Sequence, residues 1–178
     1  MNATELIELT QRAVADQQVL EVAFKQSFQY DCAIGEQFSG NYNLRPGAIY
    51  AYPEPGSVFS VVKMQVERDG REKTYAFMLF FAEDGLSIKL SHPGNSHANP
   101  QLFKDLYPAA LAAAAGRMQP PSTSDIYLAE TQITREPTAD GWEETWHWID
   151  QDRTRASTHI RLHSVGGDGV HFVIQAPE

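Results

Sequence analysis

The sequence predicts an α+β domain: an N-terminal helix, a strongly curved, mainly antiparallel sheet of about seven to nine strands curling toward a barrel, and a helical segment near 99–116. Three observations predict it. Asp69-Gly70 and Asp84-Gly85 punctuate a long apolar alternation between residues 57 and 92, and such pairs accept the positive φ of tight hairpin turns. An alanine-rich run with helix start and stop signals then interrupts the strands. A second series of alternating segments follows it, without the βαβ spacing of a parallel sheet.

In chain order, residues 2–16 place Leu6, Leu9 and Ala13 on one helical face, and Asn2 and Glu5 have capping-box spacing. From Leu20 the period becomes two. Val22, Phe24, Phe28, Tyr30 and Cys32 share one face, with Lys25, Ser27, Gln29 and Asp31 opposite, which predicts a strand. Centring a turn on Asp69-Gly70 pairs Met64 with Tyr75 and Val62 with Phe77; centring the next on Asp84-Gly85 pairs Phe81 with Ile88 and Leu79 with Leu90. Both registers put these residues on one face, so they support a single meander. Its other face mixes Phe59, Val61, Ala76, Met78 and Phe80 with Lys63, Gln65, Glu67, Ser87 and Lys89, and part of it needs a cover.

The segment "NPQLFKDLYPAALAAAAGR" is the expected cover: Asn99 can cap it, Pro100 suits the first helical position and Gly116 the stop, while Pro108 should kink or split it. The connection 119–124, "QPPSTS", is too short to separate independent cores. Four more strands follow in "DIYLAETQITRE", "GWEETWHWID", "ASTHIRLHS" and "GVHFVIQA", with Asp140-Gly141 and "VGGDG" as turns. No internal repeat of fixed period stands out. Because single cores grow comfortably to about 150–200 residues, residues 1–178 are expected to form a single domain.

The formal charge is −9, from 14 basic and 23 acidic side chains. Phosphate neutralisation has little to work with, so nucleic acid and anionic membrane are not expected partners. The N-terminus lacks a basic segment followed by an apolar run of signal-peptide length, and Cys32 is the single cysteine. A cytoplasmic address is the expectation.

Catalytic and cofactor chemistries find little footing. His147, His159, His163 and His171 cluster in the last segments, but alternation places Arg161 between His159 and His163 on one face. A cation there opposes a metal, so no metal or other cofactor is expected. Cys32 lies beside Asp31, which disfavours a thiolate, and shares a face with Phe28 and Tyr30; it reads as a core residue. "SVGGDGV" lacks the following helix and the Lys-Ser/Thr end of a phosphate loop. No carboxylate pair is singled out by an apolar setting, so no catalytic residue is assigned.

The stretch "TADGWEETWHWIDQD" carries the functional expectation. Residues 130–152 hold seven acids, Glu130, Glu136, Asp140, Glu143, Glu144, Asp150 and Asp152, against one base, Arg135. Alternation sets Trp142, Glu144, Trp146 and Trp148 on one strand face and Glu143, Thr145 and His147 on the other. Large aromatics ordinarily bury their area in a core. Indoles are also favoured anchors of interfaces, and clustered carboxylates steer a basic partner.

The sequence therefore raises the expectation of a non-enzymatic binding protein that engages a basic protein, in the manner of an immunity protein, antitoxin or secretion chaperone. Trp142, Glu143, Glu144, Trp146, Trp148, Asp150 and Asp152 are its candidate contact residues. The comparison with those classes is one of charge and size. The alternative is a small-ligand binding protein or ligand-transforming enzyme with an apolar cavity in the curved sheet, lined by "YAFMLFF", the tryptophan face and the N-terminal strand.

Overall fold

A computed structural model describes residues 2–16, 18, 43–54, 57–68, 70–82, 85–118, 123–165 and 169–175. The fold is α+β, and its contacts divide the chain into two compact units, Met1–Pro93 and Gly94–Glu178. The boundary falls at Pro93/Gly94, not at the proline-rich connection 119–124. Among the described residues each unit has the same order, a helix and then a four-stranded antiparallel meander.

The first unit contains α1 (Ala3–Ala15), β1 (Asn43–Glu54), β2 (Ser57–Arg68), β3 (Arg71–Ala82) and β4 (Gly85–Pro93). Helix α1 starts as its spacing predicts: Glu5 N donates to Asn2 Oδ1 and Asn2 N to Glu5 Oε2, both at 2.9 Å, so two otherwise orphaned donors are satisfied. It buries Leu6, Thr10 and Val14 and packs on β1 and β2. The Thr10 hydroxyl, 2.8 Å from Ser60 Oγ, ties the helix to β2 through a buried polar pair. The core of the unit gathers Val14, Leu44, Val62, Met64, Val66, Tyr75, Phe77 and Leu79.

Met64 lies opposite Tyr75 and Val62 opposite Phe77, as the Asp69-Gly70 turn requires. The second hairpin differs from expectation by two residues: Leu79 faces Ile88 and Phe81 faces Leu86, because Ala82 already pairs with Gly85. A two-residue slip preserves the alternation, so the same side chains still point inward. On the opposite face the Tyr52 and Phe59 rings stack at 5.0 Å and those of Phe59 and Phe80 lie 5.4 Å apart. Strand β1 escapes the sequence reading because Pro46, Gly47 and Pro53 interrupt it; it is an edge strand, where proline is tolerated. The strand expected at 20–32, and Cys32 within it, lie outside the described residues.

The second unit contains α2 (Pro100–Met118), a 3₁₀ turn (Thr123–Asp125), β5 (Ile126–Thr138), β6 (Gly141–Asp150), β7 (Arg155–Ser164) and β8 (Val170–Gln175). Leu102 N donates to the Asn99 side chain at 2.8 Å, the predicted cap. The helix continues through Pro108 and past Gly116. Expected as a cover for the first meander's outer face, it packs within its own unit, where its Phe103, Leu106, Ala110 and Ala114 join Trp146, Trp148, Ile160 and Leu162 in the core. The small alanines let the helix lie close to a sheet that projects bulky indoles.

Among the described residues, the single curved sheet is corrected to two four-stranded sheets, ordered β1-β2-β3-β4 and β5-β6-β7-β8, with no closed barrel. Within the second unit, Gly94 and Asn95 occupy part of the edge of β5 at Thr131. Gly94 bridges Thr131, and Asn95 N donates to Thr131 O at 2.8 Å. Gly94 adopts φ +84, and a Cβ there would overlap the Thr131 carbonyl, so this crossing requires glycine. No helix among the described residues is long and apolar enough to cross a membrane.

Candidate functional site

Strand β6 realises the alternation of "GWEETWHW". Trp146, Trp148 and Glu144 are buried on the inner face, and Trp142 is partly buried. The strand sits between β5 and β7, so both its edges are hydrogen-bonded to neighbours. The Trp146 ring stacks on Phe103 of α2 at 4.5 Å, Tyr107 meets Trp148 edge-on at 5.5 Å, and the two indoles lie 6.2 Å apart. Each indole N–H has an acceptor, as a buried indole requires. Trp148 Nε1 donates to Thr158 Oγ1 at 3.0 Å, and Trp142 and Trp146 both donate to Glu144.

Glu144 is the hub of this arrangement. Its Oε1 accepts from Ser96 Oγ, His97 N and Trp142 Nε1, and its Oε2 from Trp146 Nε1, each at 2.9 Å. Four converging donors replace water around a fully buried carboxylate and offset much of its desolvation. The segment that supplies Ser96 and His97 is held in place by the Gly94–Thr131 bridge, and Ala98 N donates in turn to Ser96 Oγ at 3.0 Å. With both oxygens engaged and no exposed surface, Glu144 staples the 94–98 segment to the sheet.

The outer face of β6 is polar and paired. Glu143 accepts from Arg161 Nε at 2.8 Å and lies 3.4 Å from Arg135. Thr145 Oγ1 meets His159 Nδ1 at 2.8 Å, and His147 Nδ1 meets Ser157 Oγ at 2.9 Å. The histidines thus bond to hydroxyls across strands. Among the described residues, no group of three or more His, Cys, Asp or Glu side chains could hold a metal ion. Asp150 shapes the turn into β7, accepting from Thr154 N at 2.7 Å, and Asp152 sits exposed in that turn. Glu130, Glu136 and Asp140 are exposed as well.

The structure thus separates the expected contact residues. Trp146, Trp148 and Glu144 lie inside, Trp142, Glu143 and Asp150 at intermediate depth, and Asp152 outside. Sequence reasoning missed Ser96 and His97, which reach Glu144 from 48 and 47 positions away. A local signal for part of the hub was present: a carboxylate flanked at i−2 and i+2 by indoles on one strand face. Compared with family models, with curated proteins and with solved structures, the chain matches none.

Proposed function

We propose that the protein is a non-enzymatic cytosolic binding protein that engages a basic protein partner through acidic groups on the outside of its second unit. The observation that carries this reading is how β5, β6 and the turns flanking β6 divide their side chains. The indoles and Glu144 go to the core, while Glu130, Glu136, Asp140 and Asp152 stay exposed. The buried set makes a rigid support, and the exposed acids provide long-range attraction for a cationic surface. Glu143, Asp150 and the partly exposed Trp142 border that surface, and Trp146 and Trp148 act from within by holding the strand in place.

The test is affinity purification from the native cell, followed by mass spectrometry of co-purifying proteins and small molecules. A basic protein should be retained, and the Glu130→Gln, Asp140→Asn, Asp152→Asn variant should associate with it more slowly and with a flatter salt dependence. Recovery of no basic protein, or an association rate insensitive to these changes, overturns the reading. The small-ligand alternative draws on the neighbouring Tyr52, Phe59 and Phe80 rings on the outer face of the first sheet; a retained apolar small molecule would favour it.

A further inference from the structure

A sheet edge exposes a row of unpaired backbone donors and acceptors, and proteins that stay apart blunt such edges with lysine, proline, bulges or a covering segment. Among the described strands, three of the four at sheet edges carry those devices. Strand β1 has Arg45, Pro46 and Pro53, with a register shift between Pro46 and Ile49. Strand β4 has Lys89 and Pro93, with an irregularity in its pairing to β3. Strand β5 has three register shifts and Pro137, and Gly94–Asn95 takes part of its edge.

Among the described residues, strand β8 has none of them. Its sequence, VHFVIQ, contains no proline and no lysine, arginine or carboxylate, and its register with β7 runs unbroken from Ser164–Val170 to His159–Gln175. Among the described strands it pairs with β7 alone. The core is also left open beside it. Ile160 and Leu162 of β7 are buried, whereas their cross-strand neighbours Ile174 and Phe172, and Val170 beyond, are only partly covered. On the outer face Val173 is 40% exposed, between exposed His171 and Gln175.

We propose that β8 is an association edge, and that a second copy of this chain pairs with it antiparallel about a two-fold axis through Val173. The occupant follows from self-complementarity. With Val173 opposite its own symmetry mate, Phe172 of one copy faces Ile174 of the other on the inner side, and His171 faces Gln175 on the outer side. Inward and outward residues then stay in phase across the axis, so each copy extends the other's apolar layer. The chain as a whole carries −9, so two copies repel, and this edge brings no fixed charge opposite itself. The contact is one short strand wide, which places it among small, weak interfaces.

Sedimentation equilibrium of the full chain over a wide concentration range tests this. The expected result is a reversible monomer–dimer equilibrium that tightens as salt screens the net repulsion. Val173→Lys sets two like charges opposite each other and should weaken the dimer by about tenfold or more. In a Cys32→Ser background, Val173→Cys should cross-link to itself under mild oxidation. His171→Cys alone should not, while His171→Cys mixed with Gln175→Cys should. The cysteine series keeps the proposal decidable if the lysine variant folds poorly. A monomer at all concentrations overturns the proposal, and so does a dimer that ignores Val173→Lys and does not cross-link at 173, or an edge that accepts only a foreign strand.

Discussion

The indole N–H of Trp146 donates to Glu144 Oε2 at 2.9 Å, two residues back on the same face of β6, while the Trp146 ring stacks on Phe103. One side chain therefore satisfies a buried carboxylate and fills the core beneath the helix. Replacing Glu144 by Gln keeps the shape but turns an amide N–H₂ toward groups that are themselves donors. The variant should be destabilised by about 3 kcal/mol in denaturant unfolding, since leaving a buried donor unsatisfied costs about 1–3 kcal/mol. Equal midpoints for the two proteins would refute the staple.

Trp146→Ala should cost about 3–5 kcal/mol, the range for removing a large aromatic from a core. Because the indole is fully buried, the loss should appear as unfolding rather than as faster dissociation from a partner. Thermal melts beside binding kinetics separate the two, and a stable Trp146→Ala protein with altered partner release would return this indole to the contact surface.

Gly94→Ala should destabilise the second unit by about 2 kcal/mol, the scale of strain for a side chain at positive φ, with more from the overlap with Thr131. Since Ser96 and His97 follow two and three residues later and bond Glu144, the substitution should also perturb the environment of Trp142 and Trp146. A fluorescence change that accompanies the stability loss is the expected outcome; lost stability with an unchanged spectrum would uncouple the bridge from the hub.

His92 in the first unit is buried, chiefly desolvated and further disfavoured as a cation by Lys63, so its pKa falls from 6.5 to about 3 despite a hydrogen bond with the Pro93 backbone. The unfolded chain binds a proton below pH 6.5 that the folded chain refuses. The stability contributed by keeping His92 neutral is whole above pH 6.5 and is lost progressively between there and about pH 3, at up to about 1.4 kcal/mol per pH unit. The difference in unfolding free energy between the protein and His92→Gln, followed from pH 7 to pH 4, should change in that direction. A difference independent of pH would contradict it.

The sequence by itself determined the elements whose signals are local. The capping box of Asn2 and Glu5, the Asn99 cap, the first hairpin register through Met64 and Tyr75, and the strand face shared by Trp142, Glu144, Trp146 and Trp148 all arise from groups a few residues apart, or from a turn that fixes a pairing. Only the tertiary structure decided the rest. It divided the described strands into two sheets and gave part of the β5 edge at Thr131 to Gly94 and Asn95. It set α2 against the indoles of its own unit, where Phe103 and the small alanines fit that surface. It also turned Glu144 inward, because Ser96 and His97 arrive from a distant segment to complete its donors. An alternating pattern says which side chains share a face, but whether that face meets water or a helix depends on chain segments whose approach no local periodicity encodes.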